Sequence, residues 1–79
     1  MNFEAKKNEL YKALIPYGLN ARVEIDEEYE TFTIDIDGIE EGKEGDTLDS
    51  LNDTLSRLGF RIIADEASTH IGKIWTLVE

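Results

Sequence analysis

The stretch ARVEIDEEYETFTIDID, Ala21 to Asp37, decides the fold. It alternates twice. In the first run Ala21, Val23 and Ile25 share one face, and Arg22, Glu24 and Asp26 share the other. In the second run Phe32, Ile34 and Ile36 stand opposite Thr31, Thr33, Asp35 and Asp37. Successive side chains of a strand point to opposite sides of a sheet, so period-two patterning marks half-buried strands. The polar turn near Glu27–Glu28 joins them as an antiparallel hairpin. A two-stranded ribbon is barely stable alone in water, so the rest of the chain has to cover its apolar face.

Both flanks supply that cover. In NFEAKKNELYKALIPYG, from Asn2, the residues Phe3, Leu10, Leu14 and Tyr17 recur at helical spacing. Asn2 suits the N-cap, Pro16 either kinks the last turn or ends the helix near Leu14, and Gly18 closes it. After the hairpin, GIEEGKEG (residues 38–45) has three glycines and no period, which predicts a loop. Asp46 is then expected to cap a second helix with the stripe Leu48, Leu51, Leu55 and Leu58, ended by Gly59. Two further strands, FRIIAD and GKIWTLV, meet at a polar turn around Ala67–His70.

Helix, hairpin, helix, hairpin predicts an α+β fold in a single domain, residues 1–79. The expected architecture is a two-layer αββαββ sandwich, with a four-stranded sheet and both helices on one face. Residues 1–37 and 46–79 read as a pseudo-repeat joined by the acidic, glycine-rich loop 38–45. A shift of 41 places Leu10, Leu14, Gly18, Leu19, Ala21 and Val23 on Leu51, Leu55, Gly59, Phe60, Ile62 and Ala64. Carried through the second hairpin, this phase turns Phe60, Ile62, Ala64, Trp75 and Leu77 toward the helices. It leaves Ile63, Ile74 and Val78 outside with Thr76, either covered by a loop or a terminus or offered as an apolar contact to a second copy or a partner.

Charge narrows the function. The net charge is −10, and residues 24–53 hold thirteen acids against one base, Lys43. The remaining residues carry five acids and seven bases. Such a central block repels nucleic acid, anionic membranes and phosphate-rich ligands. The absence of cysteine removes thiolate nucleophiles and thiolate zinc sites. No apolar run approaches the ~20 residues of a membrane span, and no secretory leader is visible, so a cytoplasmic location is expected.

No catalytic constellation or cofactor motif stands out, and a non-enzymatic protein is expected. The one histidine, His70, falls in a turn, and Ser50, Ser56 and Ser68 lack a nucleophile context. Thr33, Asp35, Asp37, Gly38 and Glu44 match positions 1, 3, 5, 6 and 12 of a calcium loop. Position 1 lacks its carboxylate and a strand precedes the loop, so a calcium-responsive module over residues 33–44 ranks third. The acids themselves suggest more. Glu24, Asp26, Glu27, Glu28, Glu30, Asp35 and Asp37, supported by Glu40, Glu41 and Glu44, are expected to form one continuous outward surface. Its spacing would approximate a phosphate track and would draw in a basic nucleic-acid-binding protein.

In size, acidity and lack of catalytic residues the chain resembles the small phage-encoded inhibitors of bacterial defence, the anti-CRISPR and anti-restriction proteins. The resemblance implies an inhibitor that acts by mimicking nucleic acid inside a bacterial host cell. It rests on no shared motif and assigns no residue a role. The reading from another class is a small structural or dimerising domain, monomer or weak homodimer, whose acids confer solubility.

Overall fold

The computed structural model describes every residue, Met1–Glu79. Helix α1 spans Phe3–Leu14 and leads through a 3-10 turn, Ile15–Tyr17, into strands β1 (Asn20–Asp26) and β2 (Thr31–Asp37). Helix α2 spans Glu44–Arg57 and is followed by β3 (Phe60–Ser68) and β4 (Ile71–Val78). The four strands form one antiparallel sheet in the order β1-β2-β4-β3.

The local signals explain most of these boundaries. The Asn2 side chain accepts a hydrogen bond from the Ala5 amide at 3.1 Å and so starts α1. Pro16 enters the 3-10 turn, where its missing N–H costs nothing, and Gly18 turns the chain with a φ of 64°. Helix α2 begins earlier than expected. Glu44 and Asp46 both lie in its first turn and Lys43 is the N-cap, without a capping side chain. Asp46 is therefore inside the helix, and the loop shrinks to residues 38–43.

Both helices cover one face of the sheet. Leu10 and Leu14 of α1, and Leu48, Leu51 and Leu55 of α2, are buried against Val23, Phe32, Ile34, Ile36, Phe60 and Ile74. Phe32 sits between Phe3 and Phe60, with ring centroids 6.1 Å from each. Leu58 leaves the expected stripe. It is the C-cap of α2 and is 48% exposed. Tyr17 fastens the 3-10 turn to α2, its hydroxyl lying 2.8 Å from Ser50 Oγ and 3.2 Å from Thr54 Oγ1.

The second hairpin departs from its predicted phase. Ile74 is fully buried and pairs with Ile34, and Thr76 is fully buried opposite Phe32. Trp75 pairs with Thr33, and Leu77 with Thr31, so both lie on the open face. Val78 pairs with Phe60 and packs on the core. Ala64 pairs with Trp75 and is exposed. Of the three residues expected outside, only Ile63 stands there, at 53% exposure.

The cause is one residue of register. A shift of 41 puts the inward Phe32, Ile34 and Ile36 of β2 on Lys73, Trp75 and Leu77, whereas the inward residues of β4 are Gly72, Ile74 and Thr76, one place away. The second hairpin closes through only Thr69 and His70, since Ser68 pairs with Ile71. In β3 a bulge skips Ile63 between Ile62–Thr76 and Ala64–Trp75. Because strand faces alternate with period two, a slip of one exchanges them completely. Thr76 pays no penalty for burial, because its hydroxyl donates to the Arg61 carbonyl at 2.6 Å.

Candidate partner-binding surface

Register arranges the open face in rows across β1, β2, β4 and β3. One row reads Asp26, Thr31, Leu77, Arg61, and the next Glu24, Thr33, Trp75, Ala64. Then come Arg22, Asp35, Lys73, Glu66 and finally Asn20, Asp37, Ile71, Ser68. The last two rows and the backbone between them floor an open concavity of about 860 Å3.

The third of these rows alternates in sign. Lys73 Nζ lies 3.7 Å from Asp35 Oδ1, and Arg22 Nε lies 3.4 Å from Glu24 Oε1. Lys73 also stands 5.3 Å from the centre of the Trp75 ring. The expected continuous acidic surface is therefore interrupted at its middle. An outward-facing base opposite a carboxylate lowers the repulsion that strand pairing would otherwise impose. The sheet gathers its acids at its two ends instead.

The first lobe surrounds the β1–β2 turn. Glu24 and Asp26 end β1, and Glu27, Glu28 and Glu30 fill the exposed turn. Asp26 builds the turn, because its Oδ1 accepts from the Glu28 amide at 3.1 Å and the Tyr29 amide at 3.4 Å. Glu30 takes a left-handed φ of 54°. Glu27, Glu28 and Glu30 form no ion pair, so their field is unopposed within the chain.

The second lobe lies beyond the other end of β2, about 20 Å away at ~3.3 Å per residue. Asp37, Glu40 and Glu41 are exposed there, and Lys43 pairs with Glu40 at 3.5 Å. Glu44 has a different role. Its Oε1 accepts from the Gly42 amide at 3.0 Å and its Oε2 from the His70 amide at 2.9 Å. The hydrogen bond from the His70 amide, with those of its own and the Gly42 amides, holds its carboxyl below the usual glutamate value.

His70 completes this clasp. Its carbonyl accepts from the Ile39 amide at 3.0 Å, and its Nδ1 donates to the Ile39 carbonyl at 2.9 Å. A carbonyl oxygen can only accept, so Nδ1 carries the proton. The clasp drives Ile39 into the core, where it and Leu48 roof the bare Gly72. His70 and Ile39 were invisible as structural residues in the sequence. The available signals were the tolerance of histidine for left-handed backbone (φ 66° here) and one isoleucine isolated among polar residues.

The calcium arrangement does not form. Asp35 and Asp37 project from a strand, Asp37 accepts from the Gly38 amide at 2.7 Å, and both Glu44 oxygens are engaged. No group of three or more histidine, aspartate or glutamate side chains is placed to hold a metal ion. No helix is long and apolar enough to cross a membrane. Comparisons with family models, curated proteins and solved structures returned no match.

Proposed function

We propose that this chain is a non-enzymatic protein-binding module whose two acidic lobes occupy a basic groove built for nucleic acid. The observation that carries the reading is the first lobe: Glu24, Asp26, Glu27, Glu28 and Glu30 crowd one exposed hairpin end, with Arg22 the sole base pairing among them. Such crowding opposes folding through self-repulsion, and dispersed acids would serve solubility as well. The ~20 Å between lobes corresponds to about six phosphate steps of a DNA strand. Asp35 lies between the lobes, and Asp37, Glu40 and Glu41 make up the second. Glu44 shapes that lobe rather than leading the contact. Nucleic-acid mimicry of the anti-CRISPR or anti-restriction kind is the particular form this function takes.

The test is capture from a bacterial lysate on the immobilised chain, followed by elution with DNA or RNA. The expected result is a basic protein that nucleic acid displaces and that the Glu27→Lys, Glu28→Lys, Glu30→Lys triple variant fails to capture. Capture that ignores both competitor and variant refutes the reading.

A further inference from the structure

The two edges of the sheet differ in how they are finished. At the β1 edge, Tyr11 reaches from α1 and its hydroxyl accepts the Val23 amide at 3.0 Å. The β3 edge receives no such cover. The side-chain bond to its backbone, from Thr76, comes from β4 on the inner side. At nine residues β3 is also the longest strand, and eight of them escape full burial. It contains neither proline nor lysine, two usual guards against edge pairing.

Charge singles out the same edge. Residues 54–79 carry Arg57, Arg61 and Lys73 against Asp65, Glu66 and Glu79, so this third is neutral while the chain as a whole is at −10. Arg61 is the arginine with no ion pair, since Arg22 and Arg57 each have one, and Glu66 has none either. Both face the open side of the sheet, on either side of exposed Ile63 and Ala64.

We propose that a second copy of this chain adds antiparallel to β3, joining the two sheets edge to edge. A two-fold axis between Ile63 and Ala64 places Arg61 of each copy opposite Glu66 of the other. It also sets Ile63 against Ala64 across the axis. The pattern is self-complementary, as an isologous contact requires. The bulge at Ile63 bends the edge, so the association is weak and concentration-dependent. It joins the sheets at their neutral margins and leaves the acidic β1–β2 turn of each copy on the side away from the joint. The inference stands on the edge alone and is independent of the proposed acidic contact.

Sedimentation equilibrium over a wide concentration range tests it. The expected weight-average mass rises from 9.0 kDa toward twice that value. Arg61→Glu or Glu66→Arg alone returns the chain to monomer, and the Arg61→Glu, Glu66→Arg double variant restores the dimer. Circular dichroism checks that each variant remains folded. A wild-type monomer at every concentration overturns the proposal. So does a dimer indifferent to the single changes, or a double variant that stays monomeric.

Discussion

Truncating Ile74 to alanine should damage this protein more than truncating the much larger Trp75 beside it. Ile74 is fully buried, opposite Ile34 in the centre of the sheet. Ile→Ala in a closed core costs ~2–5 kcal/mol through lost transfer energy and the residual cavity. Trp75 lies half-buried on the open face, with Lys73 Nζ 5.3 Å from its ring centre. Its loss forfeits partial burial and a cation–π contact, together ~1–1.5 kcal/mol. A domain of this length has a total stability of ~4–12 kcal/mol, so Ile74→Val, at ~0.5–1.5 kcal/mol, is the fallback if the alanine variant unfolds. At ~4–8 °C per kcal/mol, Ile74→Ala should lower Tm by ~8–40 °C and Trp75→Ala by ~4–12 °C. Thermal melts followed by far-UV circular dichroism measure both. Acrylamide should quench Trp75 efficiently in the native protein. A larger loss at Trp75, or a tryptophan shielded from quencher, would refute the strand phase and every row of the open face.

Other perturbations probe the clasp and the core. Glu44→Gln leaves one acceptor where two amides, those of Gly42 and His70, now bond. The folded-state pKa of Glu44 is depressed, so its stabilisation is present above the ordinary carboxylate range and disappears as pH falls through the lowered value. The Tm advantage of wild type over Glu44→Gln should therefore shrink between neutral pH and pH ~3; a constant gap would contradict the clasp. Gly72→Ala sets a Cβ 2.8 Å from Leu48 Cδ2 and should cost ~1 kcal/mol net by denaturant titration, while Gly45→Ala, in open space within α2, should gain up to ~1 kcal/mol. Millimolar calcium should leave Tm unchanged, and a rise would revive the loop over residues 33–44 as a metal site.

The first hairpin was legible because each strand is apolar on one side only. Val23, Phe32, Ile34 and Ile36 could not exchange faces without burying Glu24, Thr33 and Asp35. Strand β4 offers no such constraint. In IGKIWTLV both faces are largely apolar, so patterning leaves the phase open and register decides it. That register depends on a two-residue turn and a bulge at Ile63, neither of which announces itself in composition. The start of α2 was misplaced for a related reason. Asp46 is the better cap by propensity, but the Glu44 carboxylate is drawn to the His70 amide across 26 residues, a long-range bond that no local rule contains. The acidic surface was legible in amount but not in layout. Alternation placed Glu24, Asp26, Asp35 and Asp37 outward correctly, while Lys73 came to sit beside Asp35 only through the β2–β4 pairing.

The most direct test of the acidic contact is the affinity for a captured partner as a function of salt, measured for wild type and for the Glu27→Lys, Glu28→Lys, Glu30→Lys variant. The account predicts a steep decline for wild type between low and physiological ionic strength, and a weak, nearly flat curve for the variant. Equal affinities with equal, shallow slopes would show that the hairpin carboxylates take no part in recognition.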